Sequence, residues 1–403
     1  MKKLLGLLLA MAVAFPASAD VLKNVTLKGE IQTIASDVRH NDVAADARYN
    51  SGTNARALAG LSFDLVEDVR ANVLFQYGYA WGTNNKANEG FDNADGMKLA
   101  EANVVLSNLF CCLEATVGRQ FYGDENSAVM YFGPTHYNAE GINLARALDA
   151  AKISYSDDFK SFTMIAGKVA DLSDGEDAFT RDSAIYGADL KLNLTDAVSL
   201  QAYGYDLRNV QFFESGVWTD TDKNIGFYGA KLAFNPEAAL LSVEYARNFA
   251  GDRLVKEHKD TGYMVKADGA INLEAVTARA AFLYSNGNFF AFGNYRPGLL
   301  IGDPMKGEIF DYTDDGVRMF NVGFDFKPYE KWTVSLDGYS FQSRFGRHSA
   351  TLEADLTAKY AHNEYVELFA GVGYAKYGNE GDYNKTAFGK DNTKGQLGML
   401  IKF

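Results

Sequence analysis

Five histidines, His40, His136, His258, His348 and His362, are scattered through 403 residues without the spacing of metal ligands. His348 and Ser349 are the one adjacent pair that a base and its nucleophile would use. No acid stands fixed beside them, so nucleophilic catalysis is not indicated. The segment Asp171–Asp182 (DLSDGEDAFTRD) has carboxylates enough for a calcium ion but not the EF-hand spacing, and a solvated acidic loop is its simpler reading. Cys111 and Cys112 are the only cysteines. Being adjacent they staple nothing distant; they form either a vicinal disulfide or two small residues at a strand start. The expectation is therefore a chain with no catalytic set, no metal and no cofactor, in which any chemistry is that of charge and size.

Charged and polar side chains gather in one interruption of an otherwise regular pattern. Phe121–Arg146 carries Asp124, Glu125, Pro134, His136, Glu140 and Arg146, with Arg119 and Gln120 just before it. Folded into a tube, such a segment would narrow it; lying over the mouth, it would cover it. Arg56, Arg70 and Arg279 share strand parity with polar residues such as Asn54, Asn72 and Thr277, so they join the expected lining. A second long segment, Ser285–Asp315, is rich in aromatics and glycine.

The elements that must position these residues are strands. Val25–Ser36 alternates apolar and polar residues, and Asn54–Val66 and Val69–Trp81 form a hairpin across Glu67-Asp68. Met97–Leu106 and Cys112–Gln120 follow, then Ala150–Ser156 with Ser161–Val169, and Ser183–Leu194 with Val198–Leu207. The same rhythm runs to Gly395–Phe403. About eighteen strands of roughly 8–13 residues result, near the length of a tilted membrane-spanning strand; sixteen remains compatible. Long and short connections take turns throughout, which an up-and-down sheet with all long loops on one side requires. In Ser349–Tyr360, Leu352, Ala354, Leu356, Ala358 and Tyr360 share one face and Thr351, Glu353, Asp355, Thr357 and Lys359 the other. In lipid every backbone group must be paired, so the sheet is expected to close, with apolar residues facing lipid and polar ones a wet lumen. The fold class is all-β: one closed antiparallel transmembrane barrel over residues 20–403.

Met1–Ala19 has the charged, apolar and Ala-Ser-Ala parts of a secretory leader. Its apolar run is too short to span as a helix. Removing it takes away two lysines from 39 basic residues against 52 acidic, so the mature balance moves from −13 to −15. That acidity argues against nucleic acid as a partner. With 23 Tyr, 28 Phe and 38 Gly but only 6 Pro, the composition suits alternating strands with aromatic girdles.

Gly395–Phe403 (GQLGMLIKF) resembles the closing strand of a Gram-negative outer-membrane barrel, and the resemblance implies that the barrel-assembly machinery reads Phe403. Val117–Asp124 (VGRQFYGD) and Lys152–Tyr155 resemble the alginate export family of eighteen-stranded outer-membrane barrels, through Gly118, Arg119 and Gln120, then Tyr122, Gly123 and Asp124. General porins fold their third outside loop into the lumen, and Phe121–Arg146 stands in the matching place. The expectation is an outer-membrane porin, not an enzyme. It would hold a water-filled channel for passive diffusion of small hydrophilic solutes, with weak cation preference. A selective conduit of the alginate-export type, for an oligosaccharide or organic acid, is the alternative, as is a structural barrel with a plugged lumen. Implied partners are outer-membrane lipid, lipopolysaccharide and the assembly machinery; a homo-oligomer is compatible with the sequence.

Overall fold

The computed structural model describes residues 23–40, 49–81, 97–136, 145–170, 179–210, 213–214, 217–218, 223–249, 262–286, 289, 291–295, 297–300, 316–343, 350–377 and 391–403. The leader, Glu140, the His348-Ser349 pair and most of Asp171–Asp182 lie outside them. The wall begins with β1 (Lys23–His40), β2 (Tyr49–Val66), β3 (Val69–Trp81), β4 (Lys98–Leu109) and β5 (Leu113–Gln120). Two short pieces, β6 (Tyr122–Gly123) and β7 (Tyr131–Phe132), pair only with each other. The wall resumes with β8 (Ala147–Ser156), β9 (Lys160–Ala170), β10 (Phe179–Thr195) and β11 (Val198–Val210). A second small pair, β12 (Phe213–Glu214) and β13 (Val217–Trp218), precedes β14 (Lys223–Phe234), β15 (Ala239–Phe249), β16 (Tyr263–Leu273) and β17 (Val276–Ser285). The last five strands are β18 (Val317–Phe326), β19 (Trp332–Ser343), β20 (Thr351–Ala361), β21 (Val366–Lys376) and β22 (Asp391–Lys402).

Eighteen of these form one antiparallel sheet in which each strand pairs with its sequence neighbours. The sheet closes because β1 pairs with β2 on one side and β22 on the other. At the seam Gly29 and Phe403 exchange both backbone hydrogen bonds, 2.7 and 3.0 Å. A Cβ on Gly29 would lie 2.4 Å from the Leu58 carbonyl oxygen and 2.8 Å from the Phe403 ring, so the close approach at the seam requires glycine. Short turns crowd one end of the barrel and long connections the other. Strands run further toward the long-loop end than the sequence pattern marks: β1 reaches His40 and β22 starts at Asp391. Those extensions carry the exposed pair Asp37 and Arg39 on one face and the buried, inward Asn392 and Lys394 on the other.

The outward face is apolar as the alternation requires. Leu352, Leu356, Phe320, Val322 and Leu397 are each about half exposed or more, while Thr351, Glu353 and Asp355 point inward and are buried. The inward face departs from expectation in the half nearer the long loops. There Ile34, Val38, Leu148, Ile185, Leu207, Ile225, Met264, Leu283, Val317, Met319 and Phe341 point into the barrel and are fully buried. All but Ile34 pack with Ala128, Val129, Met130 and Phe132 of the third long loop and Phe289, Ala291 and Leu300 of the seventh. The lumen is thus not polar along its whole length; where two loops enter it, its wall supplies a hydrophobic core.

Candidate functional site: a lumen narrowed by two loops

The third loop turns inward at once after β5. β6 and β7 pair Tyr122 with Phe132 and Gly123 with Tyr131. Gly123 sits at φ +91°, in the left-handed region, and a Cβ there would meet the Met130 carbonyl oxygen at 2.6 Å. The tip is self-capped: the Asn126 amide donates to Asp124 Oδ1 (2.9 Å), and the Val129 and Met130 amides donate to Ser127 Oγ (3.2 Å each).

Its far end is fastened to the wall by a buried ionic cluster. Arg56, with no exposed surface, donates to Glu30 Oε1 (2.6 Å), Gln32 Oε1 (3.2 Å) and the Thr135 carbonyl (2.9 Å). His136 bridges two carboxylates, Nδ1 to Glu125 Oε2 and Nε2 to Glu30 Oε2, both at 2.7 Å. Its amide also donates to Glu125 Oε1 (2.7 Å). Burial opposes a charged imidazole, yet the bonds to Glu125 and Glu30 outweigh it and hold His136 above its ordinary 6.5. Burial likewise pushes Glu125 up, and the His136 bonds bring it below its ordinary 4.5.

The seventh loop runs alongside the third as an added strip. Tyr131 N donates to Phe292 O, Phe292 N to Val129 O, and Asn294 N to Ser127 O, all at 2.9 Å. Its later part hangs on β20 and β22. The Leu299 amide donates to Glu353 Oε1 (2.7 Å) and Asp355 Oδ2 (3.0 Å), and the Leu300 amide to Glu353 Oε1 (2.8 Å). Lys394 Nζ donates to the Leu299 carbonyl (2.7 Å). Gly298 before them takes φ +81° with the Glu353 carboxylate packed where a Cβ would stand. Across the lumen, Lys266 Nζ lies 4.3 Å from the Tyr295 ring centre.

Among the described residues, two charge-lined spaces stand in the lumen. One, of about 690 Å³, opens among the short turns of β2–β3 and β4–β5 and is lined by Lys28, Arg70 and Lys152 against Asp64, Glu67, Asp68, Glu101 and Glu114. The other, of about 750 Å³, lies between the third loop and the β8–β16 wall, with Lys152, Lys231 and Lys266 against Asp124, Asp189, Glu244 and Asp268. Phe121 and Lys152 line both, so the two spaces meet at the root of the third loop. Tyr203 Oη donates to Glu244 Oε1 (2.7 Å) and its ring stacks on Tyr205 at 5.7 Å. Acidic groups outnumber basic ones in each space.

The residues singled out in the sequence scatter accordingly. Glu125, His136 and Arg56 come together in the latch. Asp124 lines the larger space and Arg70 the smaller, where it donates to Asp64 (2.9 Å). Gln120 is largely buried and donates to the Ala150 carbonyl (2.9 Å), which holds the root of the loop at the edge of the smaller space. Arg279 is held by Asp325 (2.8 Å, twice) and Asp337 (3.0 Å) across three strands. Arg146 is exposed just ahead of β8. One assignment is corrected. Arg119 is on the outer face of the wall: Glu114, Thr116 and Gln120 of β5 face the lumen, so Arg119 shares the outward parity of Val117 and is held bidentately by outward Asp149 (2.8 and 2.7 Å). Glu30, Gln32 and Lys394 were missed. Parity within Val25–Ser36 points Glu30 and Gln32 inward, but nothing in the pattern pairs them with a loop a hundred residues on.

Cys111 and Cys112 lie exposed in the turn between β4 and β5 as free thiols, Sγ to Sγ 3.5 Å. Among the described residues no three His, Cys, Asp or Glu converge as metal ligands.

This geometry defines a closed eighteen-stranded barrel of the outer-membrane type with two loops folded into its lumen. Solved structures carry the same fold: Pseudomonas aeruginosa OccK3 (OpdO) superposes with a TM-score of 0.65 over 96% of this chain and 97% of its own, at 11% identity. OpdL of the same organism gives 0.67 over 94% and 99%, at 10% identity. OccK2 (OpdF), solved in complex with glucuronate, gives 0.60 over 94% and 98%, at 10% identity. No family model and no curated protein matches the sequence. At these identities the likeness is one of fold, shared with outer-membrane porins; the alginate-export resemblance of Val117–Asp124 finds no counterpart among these structures.

Proposed function

We propose that the chain is an outer-membrane channel for passive diffusion of small hydrophilic solutes. The observation that carries this is the pair of polar, charge-lined spaces that meet at Phe121 and Lys152 inside a closed wall. Eighteen strands alone would enclose a wide pore; the third and seventh loops take up much of it, so the passage is narrow and the lining charges act at close quarters. Their acidic excess favours cations weakly. The reading carries with it entry through the 1–19 leader, insertion by barrel-assembly machinery reading Phe403, and outer-membrane lipid and lipopolysaccharide around the wall. No step of it requires bond making, so the protein acts as a channel rather than an enzyme.

A polyanion conduit of the alginate-export type is the weaker reading. It would use Arg119 as a pore residue, and Arg119 faces outward against Asp149. Single-channel conductance of the refolded protein in a planar bilayer under a salt gradient tests the proposal. Steady open steps with a weakly cation-selective reversal potential are expected. Silence from folded protein would overturn it in favour of a plugged, structural barrel.

A further inference from the structure

We propose that Cys111 and Cys112, in the turn between β4 and β5, form a two-thiolate site for a soft, thiophilic metal cation at the short-turn mouth of the smaller lumen space. The inference rests on the channel reading above only for how the ion arrives.

These are the only two cysteines of the chain, and both are exposed. A free cysteine is ordinarily among the most buried of side chains, so packing does not account for the pair. Along a strand, successive side chains point to opposite faces. Here Phe110 (φ +52°) and Cys111 (φ +75°) take the left-handed region, uncommon for residues with a side chain, and the two sulfurs stand together, Sγ to Sγ 3.5 Å. The turn is held in place. The Cys111 amide donates to the Asn108 carbonyl (3.0 Å), Asn108 Nδ2 to Asp68 Oδ1 (2.7 Å) and the Ser107 amide to the Asp68 carbonyl (2.8 Å). Asp68 and Ser107 themselves line the smaller space, so the turn that carries the thiols borders its opening.

The chemistry of the pair selects the ligand. With the sulfurs 3.5 Å apart, a metal ion about 2.3 Å from each would see them at about 100°, near the tetrahedral angle, so both thiolates reach it without rebuilding the turn. Thiolates take soft cations; hard ones are left to the carboxylates, such as Glu101 and Glu114, that line the space. Binding forms two metal–sulfur bonds and releases the two thiol protons, with no change of oxidation state. Closure to a disulfide is the strained alternative. Cα atoms across the trans 111–112 peptide stand about 3.8 Å apart, short of the roughly 4.4–6.8 Å that disulfides span. Two protein ligands are fewer than the four of a structural zinc site, so the remaining positions fall to water and the ion stays exchangeable. Five carboxylates against three cations along the adjoining space raise the local concentration of cations where the thiols stand.

Titration of the full-length protein, reduced and folded in detergent, with Cd²⁺ tests the site. Binding is read as thiolate-to-metal ultraviolet absorption and as protons released. We expect one ion per chain, close to two protons released at neutral pH, and no displacement by Mg²⁺ in roughly hundredfold excess. Cys111→Ser and Cys112→Ser should each weaken binding by at least about a hundredfold, since loss of even a supporting group costs about 10–100-fold. Should a serine variant fold poorly, wild-type protein with its thiols alkylated by iodoacetamide gives the same comparison. Equal binding by a variant or by alkylated protein would put the ion on the carboxylates and overturn the proposal. So would a wild type whose two thiols are free by titration yet bind no Cd²⁺, or a pair that stays oxidised under mild reductant. Planar-bilayer conductance separates the two readings. Binding by a protein without open steps keeps the site and removes the channel; open steps without binding do the reverse.

Discussion

The two halves of the interior share the same strands and differ in almost everything else. Near the long loops, inward residues such as Ile185, Leu207 and Ile225 are sealed under the third and seventh loops, as in the core of a soluble domain. Toward the short turns, inward residues are ion pairs open to water. Lys28 meets Glu101 at 2.7 Å and Arg70 meets Asp64 at 2.9 Å, with side chains 34% and 57% exposed for the two cations. Parity along a strand decides which side chains point inward; whether inward means dry or wet is decided by what else enters the tube. Stability and selectivity are therefore lodged in different halves.

Substitutions can break that division. The largest effect should come from Arg56→Ala, which strands the buried Glu30 carboxylate and frees the Thr135 anchor. A loss of about 3–5 kcal/mol is expected, read as an earlier thermal unfolding transition, with larger conductance steps as the third loop loosens. An unchanged transition would mean the latch does not hold the loop. Phe227→Ala, in the dry half and edge-on to Phe292 at 6.0 Å, should cost about 3 kcal/mol in the same measurement.

Acidity should act on the latch in both directions. His136 is raised above its ordinary value, so its contribution is complete below about 6.5 and is lost as pH rises through the raised value. Glu125 is lowered, so its contribution is present above about 4.5 and is lost as pH falls through the depressed value. Channel noise is expected to be least between these limits and to grow on both sides. His136→Gln should abolish the alkaline limb; persistence of that limb would assign it elsewhere. The smallest effect on stability, and the sharpest contrast, belongs to the wet half. Arg70→Ala should leave unfolding unchanged while moving the reversal potential toward stronger cation selectivity, because it removes one of three cations facing five carboxylates.

Much of the wall was legible in the chain. Alternation in Ser349–Tyr360 assigned Leu352 outward and Glu353 inward, as found, because a spanning strand keeps a two-residue period. The interior was less legible. Ile185 and Leu207 share parity with Ser183, Asp189 and Gln201, and nothing local tells an apolar residue buried under a loop from one misplaced in a wet lumen. The pairing of Val129 with Phe292 joins two irregular segments through backbone groups, which leave no mark on side-chain pattern. Arg119 erred for the opposite reason: a short family-like motif outweighed a parity that already pointed it outward.

The seam at Gly29 and Phe403 bears on how the barrel comes to exist. Every other wall strand pairs with a neighbour made just before or after it, but β1 pairs with β22, made last. Until β22 pairs with β1 the sheet is an open ribbon with those two strands as unpaired edges, the geometry most prone to pair with other chains. Closure is the contact of longest sequence separation in the wall, and so the step with the steepest search through chain conformations. A chain that loses β22 should be not a weaker barrel but an aggregating sheet.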